Sequence, residues 1–328
     1  MRKLLVLAIL LLIVVASAGI PPVNVEASSN DGLDVVVTIS PLYMIVREVA
    51  GSRARIHVLA PAGVDPHSYA PTPSDALKVI SCDLFVCSGK EEFLGQLPSP
   101  EHGLVLGWDS WIGCGIYVRN DNPHYLWLYP PNAKNVAWLV AEAMSNLDPS
   151  NAIYYRSRCE AFCDVIENME AWLHETTRTL QRKNILLAGD HFEPLVEWMG
   201  LNVSYVIMVG HESLPGPQRI KDAIIAARTS DIMIVSATQS KGYEASYAKQ
   251  VSDASGIPMA YVYGVPPSMV DSYSEYIKYN TMIILSHLIG ERKMSLASSS
   301  EEICRYLLVA LLSATVIEGI IIVRLRRR

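Results

Sequence analysis

Short β-branched and aliphatic runs alternate along the chain with segments whose apolar positions recur every three or four residues. Residues 34–39 (DVVVTI), 56–59 and 84–87 predict strands. Helices are predicted over 42–50, where Ile45, Val46 and Val49 share a face, over 74–80 and over 132–147. Thr72-Pro73-Ser74-Asp75 is a helix start with a capping hydroxyl, proline in the first turn and then an acid. The second half repeats the scheme, with strands at 185–188, 203–208, 232–235 and 259–263, helices between them, and a final helix over 272–288. Between the halves, residues 148–182 contain no glycine and only Pro149, and carry apolar positions at Ile153, Phe162, Val165, Ile166, Met169, Trp172 and Leu173. That predicts one helix of about 30 residues, about 45 Å long. The expectation is an α/β protein of two lobes with parallel sheets, 34–147 and 184–290, joined by a rigid strut over 148–183 that allows little opening and closing.

The two ends follow a different pattern. Arg2 and Lys3 precede an apolar run over 4–16 and the small-residue site Ala16-Ser17-Ala18, so residues 1–18 read as a secretory signal peptide, or else an uncleaved anchor. No cysteine follows the run, because the first is Cys82, which argues against an N-terminal lipid anchor. Residues 306–323 are apolar except for Glu318 and end in the basic tail 324–328. They predict a transmembrane helix with its arginines on the cytoplasmic side, reached through the polar linker 291–305; the alternative is an amphipathic core helix. The body would then be exported and held at the outer face of the cell membrane.

Composition adds exclusions. The net charge of −6, with no basic stripe, argues against a nucleic-acid partner. There is no GxxxxGK[ST], so the chain does not hydrolyse ATP through a P-loop. Among the 6 cysteines no CxxC spacing occurs, which disfavours a thiolate zinc site. Cys82 and Cys87 face opposite sides of a strand, and Cys159 and Cys163 lie one helical turn apart, both poor geometries for a bridge. A disulfide from Cys114 to Cys82 or Cys87 is the remaining expectation.

Three of the 8 histidines sit where a strand has ended or a loop feeds a helix. They are His67 in Gly63-Val64-Asp65-Pro66-His67-Ser68, His124 in Asn122-Pro123-His124-Tyr125, and His191 in Gly189-Asp190-His191-Phe192. Ligands of open α/β sheets bind at the carboxyl ends of strands, so two histidines of one lobe and one of the other would meet between lobes. Three imidazoles suit zinc, with a fourth position for a carboxylate or water. Asp65, Asp190 and Ser68 are candidate acceptors behind the imidazoles, Asp65 equally a turn cap. His57, His102, His174 and His287 read as ordinary strand, loop and helix residues, and His211 lies in a loop before a proline-rich turn.

Residues 36–88, "VVTISPLYMIVREVAG…VLAPAGVDPHSYAPTPSDALKVISCDLFVCSG", strongly resemble the solute-binding proteins of zinc and manganese ABC transporters. "NPHYLWLYPPNAKNVAWLVAEAMSNLDP" (122–149) and "VDSYSEYIKYN" (270–280) resemble the same family's later motifs, so the likeness spans nearly all of the body. It implies two Rossmann-like lobes, ligand roles for His67 and His124, and a ligand at His191, the position that is histidine in zinc-type members and commonly glutamate in manganese-type ones. It also implies a monomer that delivers Zn2+, or alternatively Mn2+, to a permease with a separate ATPase subunit. The family usually places an aspartate after the last strand of the second lobe; here the sequence is Tyr261-Val262-Tyr263-Gly264-Val265-Pro266-Pro267. Asp271 is the nearest carboxylate and is otherwise the N-cap of the last helix, so the fourth ligand stays open between Asp271, Glu212 and water. The His-rich acidic loop of some zinc-binding members is absent.

Two other functions compete. Three histidines and a water are also the inventory of a zinc hydrolase, but the chain has no HExxH and no GxSxG. A metal-binding cell-surface adhesin on the same fold is the second.

Overall fold

A computed structural model describes residues 32–210, 214–238, 240 and 242–290. The expected signal peptide, linker, transmembrane helix and basic tail lie outside these residues, as do His211, Glu212 and Cys304. Among the described residues no helix is long and apolar enough to cross a membrane.

The first lobe runs β1 (Leu33–Ile39), α1 (Ser40–Ala50), β2 (Ala54–Ala60), α2 (Pro73–Ser81), β3 (Leu84–Val86), β4 (Leu104–Leu106), α3 (Trp108–Gly113), α4 (Tyr125–Leu128) and α5 (Pro130–Leu147). Its four strands are all parallel, in the order β2-β1-β3-β4. After a single 3-10 turn at Pro149–Asn151 comes α6 (Ala152–Arg178), 27 residues long and therefore about 40 Å from end to end. The second lobe runs β5 (Asn184–Gly189), α7 (Glu193–Trp198), β6 (Asn202–Met208), α8 (Pro217–Ala227), β7 (Ile232–Ser236), α9 (Tyr243–Ser255), β8 (Met259–Val262) and α10 (Tyr273–Gly290). Its sheet is again all parallel, in the order β6-β5-β7-β8.

Local chemistry explains the boundaries. At α2, the Thr72 hydroxyl accepts from the Asp75 amide while the Asp75 carboxylate accepts from the Thr72 amide, a reciprocal capping box. α6 starts later than the pattern suggests, because Pro149 and its neighbours take a tighter turn before the α-helix begins. Both faces of the second sheet are covered. Ile185, Leu187, Ile232 and Ile234 join the large core shared with the first lobe, while Leu186, Ala188, Met233 and Val235 pack under α8 and α9. That two-sided burial is why these strands read as unbroken apolar runs.

The lobes are tied together beside the strut. α10 belongs by sequence to the second lobe, yet the Tyr273 hydroxyl donates to the Trp127 carbonyl of α4 at 2.8 Å, and the Trp127 indole donates to the Gly264 carbonyl at 3.0 Å. The hydroxyls of Tyr117 and Tyr125 donate to Glu197 on α7 at 2.9 and 2.7 Å. The Gly63 amide donates to the Pro266 carbonyl at 3.2 Å.

The expected disulfide does not form. Cys82, Cys87, Cys114, Cys159 and Cys163 are all free thiols. Each of the three candidates turns to a carbonyl near its own element. Cys82 donates to Val79, Cys114 to Trp111 and Cys87 to Leu106 across the β3–β4 pair. Burial pushes the Cys82 thiol up to about 11 and the Cys87 thiol up to about 12, so both stay protonated and unreactive.

Candidate metal centre

Each sheet reverses strand order once, between β1 and β3 in the first lobe and between β5 and β7 in the second. At such a switch point the connections leave in opposite directions and open a crevice at the carboxyl ends of the strands. The two crevices share one cavity. Its walls include Ile39 and Ser88, at the ends of β1 and β3, and His191, Ser236 and Thr238, beyond β5 and at the end of β7. His67 and His124 line the same cavity, so all three predicted histidines come together there.

His67 sits on a single 3-10 turn, Pro66–Ser68, after β2. Asp65 caps that turn, its carboxylate accepting from the His67 amide at 3.1 Å, and the Ser68 hydroxyl donates to the Asp65 carbonyl at 3.0 Å. The turn-capping alternative for Asp65 is therefore realised. The His67 ring faces Glu92, with Nδ1 3.4 Å from Oε1.

His124 is delivered by a loop in which Asn120 and Asp121 both take the left-handed conformation, at φ 53° and 52°. Short polar side chains tolerate that region best, which suits the sequence Asn-Asp-Asn-Pro here. Buried Asn122 then fixes the ring. Its side-chain oxygen accepts from the His124 amide at 3.0 Å and lies 2.8 Å from His124 Nδ1, while its Nδ2 donates to the Asp190 carbonyl at 3.0 Å. Because Nδ2 is committed across the lobes, Oδ1 must face the ring, which puts the ring proton on Nδ1 and leaves Nε2 as the lone-pair donor. Sequence reasoning named Asp65, Asp190 and Ser68 for such a role and passed over Asn122, although it stands two residues before His124.

His191 follows β5 on the 3-10 turn Asp190–Phe192 and is 7% exposed. Its ring lies 5.5 Å from that of His124 and 4.3 Å from that of Phe192. Burial drives its pKa down to about 4, against the pull of Asp190 and Asp65 and with the help of His67. It is thus neutral at physiological pH, the form that donates to a metal. Asp190 accepts from the Gly210 amide at 2.8 Å, bracing this turn. Gly189 permits the packing: a Cβ there would fall 2.6 Å from His191 Cε1 and 2.9 Å from a carboxylate oxygen of Glu244. Glu244, on the first turn of α9, was not singled out by the sequence. It is 5% exposed, its Oε1 accepts from the Ser236 amide at 2.7 Å, and its Oε2 lies 3.7 Å from His191 Nε2.

The remaining polar wall is partly spoken for. The carboxylate of Glu91 accepts from the amides of Ser88 and Gly89 and from the Thr38 hydroxyl. Lys90 stacks over Trp108 with its ammonium 4.5 Å from the ring centroid. Thr238 Oγ1 is buried with no hydrogen-bond partner among the described residues. Asp271 is exposed, does not line the cavity, and meets Arg47 through its backbone carbonyl; Ser272 caps α10, its hydroxyl accepting from the Glu275 amide at 3.3 Å. Gly264 and Val265 occupy the wall after β8. Among the described residues no three His, Cys, Asp or Glu side chains are already drawn together as a coordination shell. The donors that line the cavity still suit a borderline cation: two loop imidazoles, one buried neutral imidazole and an unsatisfied hydroxyl.

Residues 35–286 match the family model described as ZnuA, zinc-uptake complex component A, periplasmic. The manganese-binding lipoprotein MntA of Halalkalibacterium halodurans is 24% identical over 303 residues, covering 88% of this chain and 99% of that protein. The high-affinity zinc uptake system protein ZnuA of Bacillus subtilis is 22% identical over 218 residues, covering 60% of this chain and 68% of that protein. Among solved structures, the laminin-binding protein Lmb of Streptococcus agalactiae superposes with a TM-score of 0.68 at 20% identity, over 78% of this chain and 100% of that one, and shows the shared fold. The chain therefore belongs to the ZnuA family, the extracytoplasmic metal-binding components of ABC transporters, which are solute-binding proteins and not enzymes.

Proposed function

We propose that this protein captures Zn2+ in preference to Mn2+ in the cavity between its lobes and delivers it to an ABC permease served by a separate ATPase. His67, His124 and His191 supply the imidazoles. The observation that carries the reading is the convergence of three histidines, from loops far apart in sequence, on the one cavity where both sheets reverse strand order. Imidazole favours zinc, whereas manganese prefers oxygen ligands. The relatives named for manganese and for zinc agree on the class of cargo and divide on its identity. Side-by-side titration calorimetry of the metal-stripped chain with zinc and with manganese tests the choice. One zinc per chain, bound at least tenfold tighter than manganese and weakened in His67→Ala, is the expected result. Manganese bound as tightly as zinc would overturn the preference.

Residues 306–323 are read, on sequence alone, as the tether that keeps the body on the outer face of the membrane. Deleting residues 306–328 should move the protein from the membrane fraction to the soluble extracytoplasmic fraction. An unchanged membrane association after the deletion would assign the anchor to another part of the chain.

A further inference from the structure

We infer that Glu197 is a positioning residue that sets the spacing of His124 and His191, so that both rings serve one ion; the inference rests on the metal-capture reading above. The two histidines belong to different lobes, and their ring centroids stand 5.5 Å apart. Two bonds between the lobes bracket them. On one side, Asn122 Nδ2 donates at 3.0 Å to the carbonyl of Asp190, the residue before His191. On the other, the hydroxyl of Tyr125, the residue after His124, donates to Glu197 Oε2 at 2.7 Å. Glu197 stands on α7, which begins two residues after His191. Its carboxylate therefore ties the helix that follows one ring to the residue beside the other.

Glu197 grips the loop that delivers His124 at more than one point. Its Oε1 accepts from the Tyr117 hydroxyl at 2.9 Å, and the Arg119 guanidinium lies 3.6 Å from its Oε2. One carboxylate has acceptor sites for all three donors, and bonds to its charge are stronger than those between neutral groups. Within the first lobe, Asn132 closes the same loop. Its Oδ1 accepts from the Tyr117 amide at 2.8 Å, and its Nδ2 donates to the carbonyls of Tyr117 and Tyr125 at 2.6 and 3.0 Å. Both ends of the segment 117–125 are thus closed on Asn132, and the hydroxyls at those ends are closed on Glu197 across the lobes. Between them stand Asn120 and Asp121, both left-handed, a conformation that persists where the surroundings fix it. Asn132 gives the loop its shape, and Glu197 gives that shape its place relative to His191.

The test titrates the full chain, stripped of metal, with zinc and with Co2+ as a spectroscopic probe. Glu197→Gln keeps the size of the side chain but leaves one acceptor oxygen for three donors, which loosens the grip on the loop. Zinc affinity should fall about tenfold, the lower end of the loss seen when the support behind a metal ligand is removed. The visible absorption of bound Co2+ should shift, because His124 changes its place in the coordination shell; a role confined to stability would leave that spectrum alone. Tyr125→Phe removes the same bond from its other end with less disturbance of the fold, and should weaken zinc to a similar extent. The double variant should lose little more than either single one, because the two residues act through one bond. Losses that multiply in the double variant would overturn the positioning role. So would wild-type zinc affinity and an unchanged cobalt spectrum in both single variants, even if they melt at a lower temperature; with His191→Ala losing zinc, that result leaves the metal-capture reading intact. Failure of the wild-type chain to bind zinc or cobalt would overturn both.

Discussion

His191→Ala is expected to reduce zinc affinity about a thousandfold. Apparent zinc-binding free energies of zinc-finger peptides are about 10–16 kcal/mol near neutral pH, and on that scale the share of one imidazole among three or four ligands is about 4 kcal/mol. His191 is the ligand candidate with the least freedom to be replaced by water, because it is 7% exposed and packed against Phe192 and Gly189. The same residue sets an acid sensitivity. Its pKa in the fold is about 4, held down first by burial, against 6.5 in an unfolded chain. The folded state therefore favours the neutral ring. The stability this lends is fully present above pH 6.5 and is lost as pH falls from 6.5 towards 4, on the order of 3 kcal/mol in all. Thermal unfolding of the metal-free protein between pH 7.5 and 4 should show that decline, and His191→Ala should show a shallower one. Equal slopes in the two proteins would mean that the ring is not buried as neutral imidazole.

The strands and the strut were legible because their signals are local. A β-branched run such as residues 34–39 has no competing reading, and the observed strand, Leu33–Ile39, adds one residue. The long helix was visible from its recurrent apolar positions and from the absence of glycine and proline after Pro149. What escaped was short or non-local. Leu104–Leu106 is three residues with two of them exposed, too short for any periodicity to emerge. The disulfide expectation failed because thiol spacing carries no information about direction, and Cys82, Cys87 and Cys114 all turn to nearby carbonyls.

The site divides in the same way. His67, His124 and His191 could be picked out because each stands at the end of a strand pattern or at the mouth of a loop. Their meeting depends on two sheet reversals and could not be read from spacings of 57 and 67 residues. Glu244 left no trace for a different reason. An acid in the first turn of a helix is an ordinary partner of the helix dipole, so its burial against His191 is invisible until β5 and β7 are placed side by side. Asp271 is only one of the open choices for the fourth ligand, as the carboxylate nearest in sequence to the family's position, and the chain between Gly264 and α10 carries it out to the surface beside Arg47.

Trp127 joins the His124 ring to the contacts that hold the lobes together. It lies on α4 with 4% exposure, and its ring centroid is 5.0 Å from that of His124. Its indole nitrogen donates to Gly264 in the opposite wall, and its carbonyl accepts from Tyr273 on α10. Trp127→Ala would open a large cavity between the lobes and leave the Gly264 carbonyl short of one of its donors, although the Tyr276 hydroxyl still reaches it at 2.7 Å. The expected cost is about 4 kcal/mol, which for a body of this size lowers the melting temperature by about 10 °C. Zinc affinity should drop as well, because the His124 ring loses the face it packs on, although Asn122 continues to orient it. Trp127→Phe separates the two effects. It retains most of the packing under His124 and removes only the indole hydrogen bond, so it should recover most of the affinity and only part of the stability. Differential scanning calorimetry with and without zinc reads both quantities in one experiment. If Trp127→Ala melts like the wild type, the lobes are held by the strut and the other cross-lobe contacts, and the coupling assigned to Trp127 is wrong.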